Sequence, residues 1–144
     1  MTQDRINDVL NKLSQSGHRI TKQRREILTA VLDMDNHPTA EQIHERVLHV
    51  EPMTSLATIY KTLDMLKESG EVVDLGLLND RHHYDRATPT PHAHIVCSGC
   101  GKIDDIFIES LLELADQARH DTQYQVHGQT LTFSGMCPSC QLQA

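Results

Sequence analysis

The sequence predicts an α+β protein in two parts, four helices and a hairpin followed by a small mixed segment that a metal holds together. Three observations predict it. Apolar residues recur at helical spacing from Asp4 to about Ser69, a short strand–turn–strand pattern follows, and two Cys-x-x-Cys pairs lie beyond a Thr- and Pro-rich stretch. The chain has 144 residues, 38% hydrophobic and 23% charged, a soluble globular composition long enough for one domain or two small ones. It has no Trp, two Phe and three Tyr, so few large side chains can fill a core. A metal or a partner subunit is the expected source of extra stability.

In chain order, Ile6, Val9, Leu10 and Leu13 line one face of a first helix, Asp4 to Ser16, and Gly17 stops it. Thr21 caps a second, in which Ile27, Leu28, Val31 and Leu32 face inward, ending near Asn36 and Pro38. Thr39 and Gln42 form a capping box for a third, with Ile43, Val47 and Leu48 inward and Pro52 as its end. Thr54 or Ser55 caps a fourth that runs to about Ser69, and Gly70 suits the left-handed position after it. A strand from Glu71 to Leu75, a turn at Asn79 and Asp80, and a returning strand from His82 to Asp85 complete a helix-turn-helix with a hairpin, a winged helix.

Residues 87–91, ATPTP, read as a linker. The division is therefore 1–86, a winged helix-turn-helix DNA-binding domain; 87–91, a hinge; and 92–144, a small α+β domain with strands at Ala93 to Cys97, Lys102 to Phe107 and about Leu131 to Gly135, and a helix from Ser110 to about Arg119. No internal repeat or low-complexity segment is present.

Net charge is −7, which alone argues against an anionic partner. Its distribution does not. The first 86 residues carry 11 Lys and Arg against 14 acids, and the remainder 2 against 6. Arg19, Lys22, Arg24 and Arg25 form a basic segment without an acid. No apolar run approaches the about 20 residues of a membrane span and the start lacks a signal-peptide pattern, so no membrane association and a cytoplasmic location are expected.

Cys97-x-x-Cys100 and Cys137-x-x-Cys140 can bring four thiolates onto one Zn(II) at about 2.3 Å. A closed site of this kind is structural. Disulfides are the competing reading, disfavoured in a cytoplasmic protein, and a thioredoxin-like site lacks its βαβ context. Ten His exceed what this length normally carries. His92 and His94 share one face of a strand beside the first pair; Asp105 can approach from the facing strand, Asp85 precedes the linker, and His37 lies in a loop able to swing towards the same hinge. Three imidazoles and two carboxylates suit Fe(II), Mn(II) or Zn(II) better than magnesium, with ordinary surface His and acids as the alternative. His44 and His49 mimic a zinc-peptidase helix, but their i, i+5 spacing points them apart.

On the fourth helix, Leu56, Ile59, Leu63 and Leu66 share one arc, read as core; Thr58, Lys61, Thr62 and Met65 are placed opposite, a suitable set for phosphates, base edges and thymine methyls. Tyr60 lies at the margin. A solvated helix face is the plainer reading of the second arc.

With these features in place, the chain resembles the ferric uptake regulator (Fur) family over nearly its whole length, through HRITKQRREIL, NHPTAEQI, SLATIYKTLDML, HAHIVCSGCGKI and GMCPSC in the family's order and spacing. The resemblance implies a homodimeric, metal-activated repressor of transcription with a C-terminal dimerisation domain and double-stranded operator DNA as partner. It implies structural zinc on Cys97, Cys100, Cys137 and Cys140, and a regulatory Fe(II), Mn(II) or Zn(II) on His37, Asp85, His92, His94 and Asp105. Tyr60 matches the recognition-helix tyrosine and Arg19 a residue reaching a minor groove; Ser55, Thr58, Lys61 and Thr62 complete the expected DNA contacts. Zinc-sensing members usually carry a further sensor Cys, and none is left over. Iron-uptake members commonly have Glu at one sensor position and an acid between the two His, where this chain has Asp105 and Ala93. Three His and two Asp match the peroxide-sensing branch, in which Fe(II) reacts with peroxide and a ligating His, here His37 or His92, is oxidised. Lys61 stands where those members often have Asn, implying a different operator. Pro91, Ala93 and Leu112 occupy most positions of a third metal site found in some relatives, although His127 remains.

The favoured expectation is a non-enzymatic, peroxide-sensing repressor whose only small ligands are metal ions and peroxide. The alternative is an iron- or manganese-responsive regulator of metal uptake. A zinc-dependent hydrolase is a remote alternative, because five protein ligands leave little room for water and substrate.

Overall fold

A computed structural model describes residues 2–35, 37–78, 80–87 and 92–143. The chain divides into two compact units, Met1–Ala87 and Thr88–Ala144. Residues 88–91 of the expected linker, and Asn79 of the expected turn, lie outside the described residues. Ala87 is tied to the first unit, since its N–H donates to the Glu71 carbonyl at 3.0 Å and its carbonyl accepts from Arg5 at 2.7 Å.

The first unit contains α1 (Thr2–Gln15), α2 (Lys22–Asp33), α3 (Ala40–Leu48), α4 (Leu56–Glu68), β1 (Val72–Leu78) and β2 (Arg81–Arg86). Each of α2, α3 and α4 starts where a hydroxyl satisfies a backbone N–H that the helix cannot: Thr21, Thr39 and Ser55 accept from Arg24, Gln42 and Thr58. The Thr39–Gln42 capping box is complete in both directions. Helix α3 ends at Leu48 with His49 as its cap, before Pro52 is reached, so Pro52 is not what ends it. At the end of α4, Gly70 takes φ +76°, which lets Glu71 N–H return to the Leu66 carbonyl at 2.9 Å.

Ile6, Leu13, Ile27, Leu28, Leu32, Ile43, Ile59, Leu63 and Leu66 pack into one core, joined by Val72 and Tyr84 from the hairpin. Fully burying each large aliphatic side chain contributes roughly 1.5–3 kcal/mol, which makes this unit the better-founded of the two. Strands β1 and β2 are antiparallel, and their register shifts between Asp74 and Leu77. Gly76, at φ +81°, lies in that bulge, and its N–H donates to Asp74 Oδ1 at 2.8 Å.

The second unit contains β3 (Ala93–Cys97), β4 (Ile103–Ile106), α5 (Leu111–Thr122), β5 (Thr132–Gly135) and α6 (Pro138–Gln141). The sheet order is β4-β3-β5, with β3 antiparallel to β4 and parallel to β5. Helix α5 runs a turn beyond the expected end at Arg119, and the single turn of α6 was not expected from the sequence. Among the described residues of the second unit the buried apolar ones are few: Ala93, Val96, Cys97, Ile103 and Leu111. Phe107, Leu112, Leu114, Tyr124, Phe133 and Met136 are all exposed. No helix among the described residues is long and apolar enough to cross a membrane.

Candidate metal centres and nucleic-acid interface

The parallel pairing of β3 with β5 sets Cys97 opposite Gly135, so Cys137 arrives two residues later beside the first cysteine pair. Ser98 clamps the approach, its N–H and hydroxyl both donating to the Gly135 carbonyl, at 2.7 and 3.1 Å. Cys137 caps α6, and Cys140 follows within that single turn. The four sulfurs lie within 4.8 Å of one another. Cys100 and Cys137 Sγ are 3.9 Å apart, far beyond a disulfide and close to the roughly 3.8 Å edge of a tetrahedron with Zn–S bonds of about 2.3 Å. No disulfide joins them.

Backbone N–H groups of Cys137, Cys100 and Gly99 donate to Cys97 Sγ at 3.3, 3.5 and 3.3 Å, and pull that thiol down to about 6. The Cys140 thiol is pushed up to about 12, first by its hydrogen bonds with the Cys137 and Cys97 sulfurs. A Cβ on Gly99 would sit 2.9 Å from Cys140 Sγ, so the loop closes this tightly only around glycine. An all-sulfur, tetrahedrally spaced donor set fits Zn(II) and not an oxygen-preferring cation.

The five other proposed ligands fall into two groups, one in each unit. In the first, the Pro38 carbonyl accepts from Tyr84 N–H at 2.9 Å, Thr39 bridges His83, and the His37 carbonyl accepts from His83 Nδ1–H at 2.7 Å. These bonds pin His37 against β2, two residues from Asp85. The expected swinging loop is thus replaced by a fastened one. His37 is held at φ +52°, a conformation costing a non-glycine residue on the order of 1–3 kcal/mol, and its Nε2 lies 3.8 Å from Asp85 Oδ2. His37 is buried and Asp85 half-buried.

In the second unit, cross-strand register pairs His94 with Asp105. Asp105 Oδ1 lies 3.4 Å from His94 Nε2 and 3.7 Å from His92 Nε2, and the two rings meet edge-on at 4.7 Å. One carboxylate thus serves two imidazoles. Asp104 instead pairs with Lys102 Nζ at 3.2 Å. The near-miss histidines have other duties: His44 Nε2–H donates to the Thr54 carbonyl at 2.7 Å, and His49 caps α3.

For nucleic acid, the turn from α3 to α4 presents the first turns of α4. Ser55, Ala57, Tyr60 and Lys61 are exposed and Thr58 half-buried. Ser55 Oγ accepts from Thr58 N–H and bonds the Thr58 hydroxyl at 2.9 Å, so both side chains also serve the cap. Thr62 is a correction: it is only 1% exposed, and Met65 is buried with it. Thr62 precedes Leu66 by one turn, about 40° away around the helix, and belongs to the core arc. No DNA contact is available to it there. Arg19 and Arg25 are exposed before and on α2, with the Arg19 carbonyl held by Arg24 Nη1 at 2.6 Å. Sequence reasoning missed Glu41, whose Oε1 accepts from Tyr60 Oη at 3.3 Å. Nothing local in the sequence joins residues 41 and 60; only the packing of α3 on α4 does.

The model of the ferric uptake regulator family matches residues 15–134. A peroxide-responsive repressor PerR of Staphylococcus saprophyticus is 34% identical over 136 residues, covering 94% of this chain and 91% of that protein. Among solved structures, the ferric uptake regulator of Helicobacter pylori superposes with TM-score 0.82 at 20% identity, over 98% of this chain and 94% of the other, a likeness of fold. The structure of GAS PerR-Zn-Zn is 32% identical with TM-score 0.54, covering 94% of this chain and 87% of the other.

Proposed function

We propose, since this chain belongs to the ferric uptake regulator family, that it acts as a homodimeric, metal-dependent repressor that holds operator DNA and releases it when peroxide is present. The observation that carries the reading is the pair of His and Asp groups, His37 with Asp85 and His92 and His94 with Asp105, in a chain similar over most of its length to peroxide-responsive repressors. These five residues together hold one regulatory Fe(II) or Mn(II). Cys97, Cys100, Cys137 and Cys140 hold a separate structural Zn(II). The exposed apolar side chains of the second unit, Phe107, Leu112, Leu114 and Phe133 among them, support the dimer. Ser55, Thr58, Tyr60, Lys61 and Arg19 contact DNA, and the protein acts in the cytoplasm. Five protein ligands leave a six-coordinate metal one position, which peroxide can take but an activated water and a substrate together cannot, and this supports a regulator without catalytic turnover.

An Fe(II) held by His37, Asp85, His92, His94 and Asp105 would supply the electron that splits peroxide into an oxidant beside these side chains, chemistry that Mn(II) would not readily supply. His37 or His92 would then gain one oxygen and stop coordinating, and the two units would no longer be held in the DNA-binding arrangement. The test is mass spectrometry of peptides containing His37 and His92, alongside operator binding, after peroxide treatment of Fe(II)- and Mn(II)-loaded protein. One added oxygen on a His in the iron form alone, in step with loss of DNA, is expected. If the iron form keeps both its DNA and its unmodified His, the protein reads metal availability instead.

A further inference from the structure

The face of α4 offered to DNA carries an acid–phenol contact that its role as a recognition helix does not by itself require. Tyr60 is 40% exposed, and its Oη donates to Glu41 Oε1 at 3.3 Å. Glu41 lies in the first turn of α3, where the helix N-terminus and its own backbone N–H stabilise a carboxylate and hold its pKa below the usual range. The completed Thr39–Gln42 box fixes that turn. Arg81, at the start of β2, adds positive charge near both groups. An ionised carboxylate can only accept, so the hydroxyl hydrogen of Tyr60 is committed to it.

We propose that Glu41 is a positioning residue for base recognition: by taking the hydroxyl hydrogen of Tyr60, it leaves Tyr60 Oη able only to accept. This rests on the reading of α4 as the DNA-recognition helix. In the major groove, adenine and cytosine offer an amino hydrogen, whereas guanine and thymine offer only acceptors at the corresponding edge. Tyr60 therefore selects adenine or cytosine at the position its oxygen reaches. Without Glu41 the hydroxyl can turn and donate, and all four bases become acceptable. The carboxylate has a second effect that is independent of Tyr60: it repels phosphate and lowers affinity for every sequence alike.

The experiment selects duplexes from a random-sequence library with full-length, Mn(II)-loaded protein, as wild type, Tyr60→Phe, Glu41→Gln, Glu41→Ala and both double variants. Affinities for the enriched duplex and its single-base variants are then measured. In the wild type, one position of each half-site should favour adenine or cytosine by about fivefold or more, the lower end of what a good base contact supplies. That preference should vanish in Tyr60→Phe and relax in either Glu41 variant. In the Tyr60→Phe background the Glu41 changes should leave base preference untouched while still raising affinity uniformly. Unchanged base preference in the Glu41 variants, or in Tyr60→Phe, overturns the proposal and leaves the repressor reading standing. If the wild type enriches no sequence, the repressor reading itself fails and the proposal falls with it. Tyr60→Phe removes a single exposed oxygen, so the decisive comparison survives even if a Glu41 variant folds poorly.

Discussion

At Gly99 a single methyl group decides whether the first cysteine pair can close on the second. A Cβ there would sit 2.9 Å from Cys140 Sγ and 3.0 Å from its Cβ, and neither can retreat without opening the sulfur tetrahedron. Gly99→Ala should therefore weaken zinc retention by roughly 10- to 100-fold, the scale of damage to groups that support metal ligands. Competition against a colorimetric chelator measures it; wild-type retention would show that the loop relaxes freely. The cysteines themselves are legible from spacing, because a Cys-x-x-Cys turn is local. The setting of His37 is not: its fastening depends on His83, 46 residues away, and its positive φ has no sequence mark of the kind glycine leaves. Thr62 tests the opposite error. Its buried hydroxyl finds no hydrogen-bond partner among the described residues, which costs about 1–3 kcal/mol. Thr62→Val should thus keep operator affinity and raise stability by roughly 1 kcal/mol in denaturant titration. A loss of DNA binding at full stability would return Thr62 to the interface.

Elements were legible where their signals are local and were misjudged where packing decides. The caps Thr21 and Thr39 stand where the sequence places them, and Ser55 is one of the two it offers for α4, because the hydroxyl and the N–H it satisfies are within three residues. Helix α4 is harder, since neighbouring elements bury a wider arc than four aliphatic residues suggest, and Met65 and Thr62 go in with them. Helix α6 is a single turn with no periodicity to read, and the parallel alignment of β3 with β5 joins strands too far apart for turn chemistry to announce it. In the hairpin's bulge, Asp74 Oδ1 accepts from the Gly76 N–H. Burial alone would raise the pKa of this carboxyl, but His82, the Gly76 N–H and Lys67 together hold it below the ordinary value. A depressed carboxylate contributes its stability above the unfolded pKa of about 3.9 and loses it as pH falls through the folded value. Asp74→Asn should consequently cost about 1 kcal/mol or less near neutral pH, given partial exposure, and nothing once both forms are protonated in acid. Urea titrations across that range check it; a penalty that persists in strong acid would mean the carboxylate charge is not what holds the bulge.

For the whole molecule, the proposed ligands come from both units, so metal binding and DNA binding should be two views of one equilibrium. The first unit carries the recognition helix with His37 and Asp85; the second carries His92, His94 and Asp105 and the apolar surface assigned to the dimer. A metal that draws on all five favours one arrangement of the units only by its differential affinity for that arrangement. Linkage then demands reciprocity: if Mn(II) tightens operator binding by some factor, operator must tighten Mn(II) binding by the same factor, typically about 5- to 150-fold. Calorimetric titration of Mn(II) into zinc-replete protein, alone and with saturating operator, gives one factor; operator titrations with and without Mn(II) give the other. The two should agree. His92→Ala should reduce both together, while binding to random DNA, which depends on phosphate contacts, stays near the wild-type level. An operator that left Mn(II) affinity unchanged would show that the His and Asp groups hold metal without governing the DNA-binding arrangement, and the switch would have to lie elsewhere in the chain.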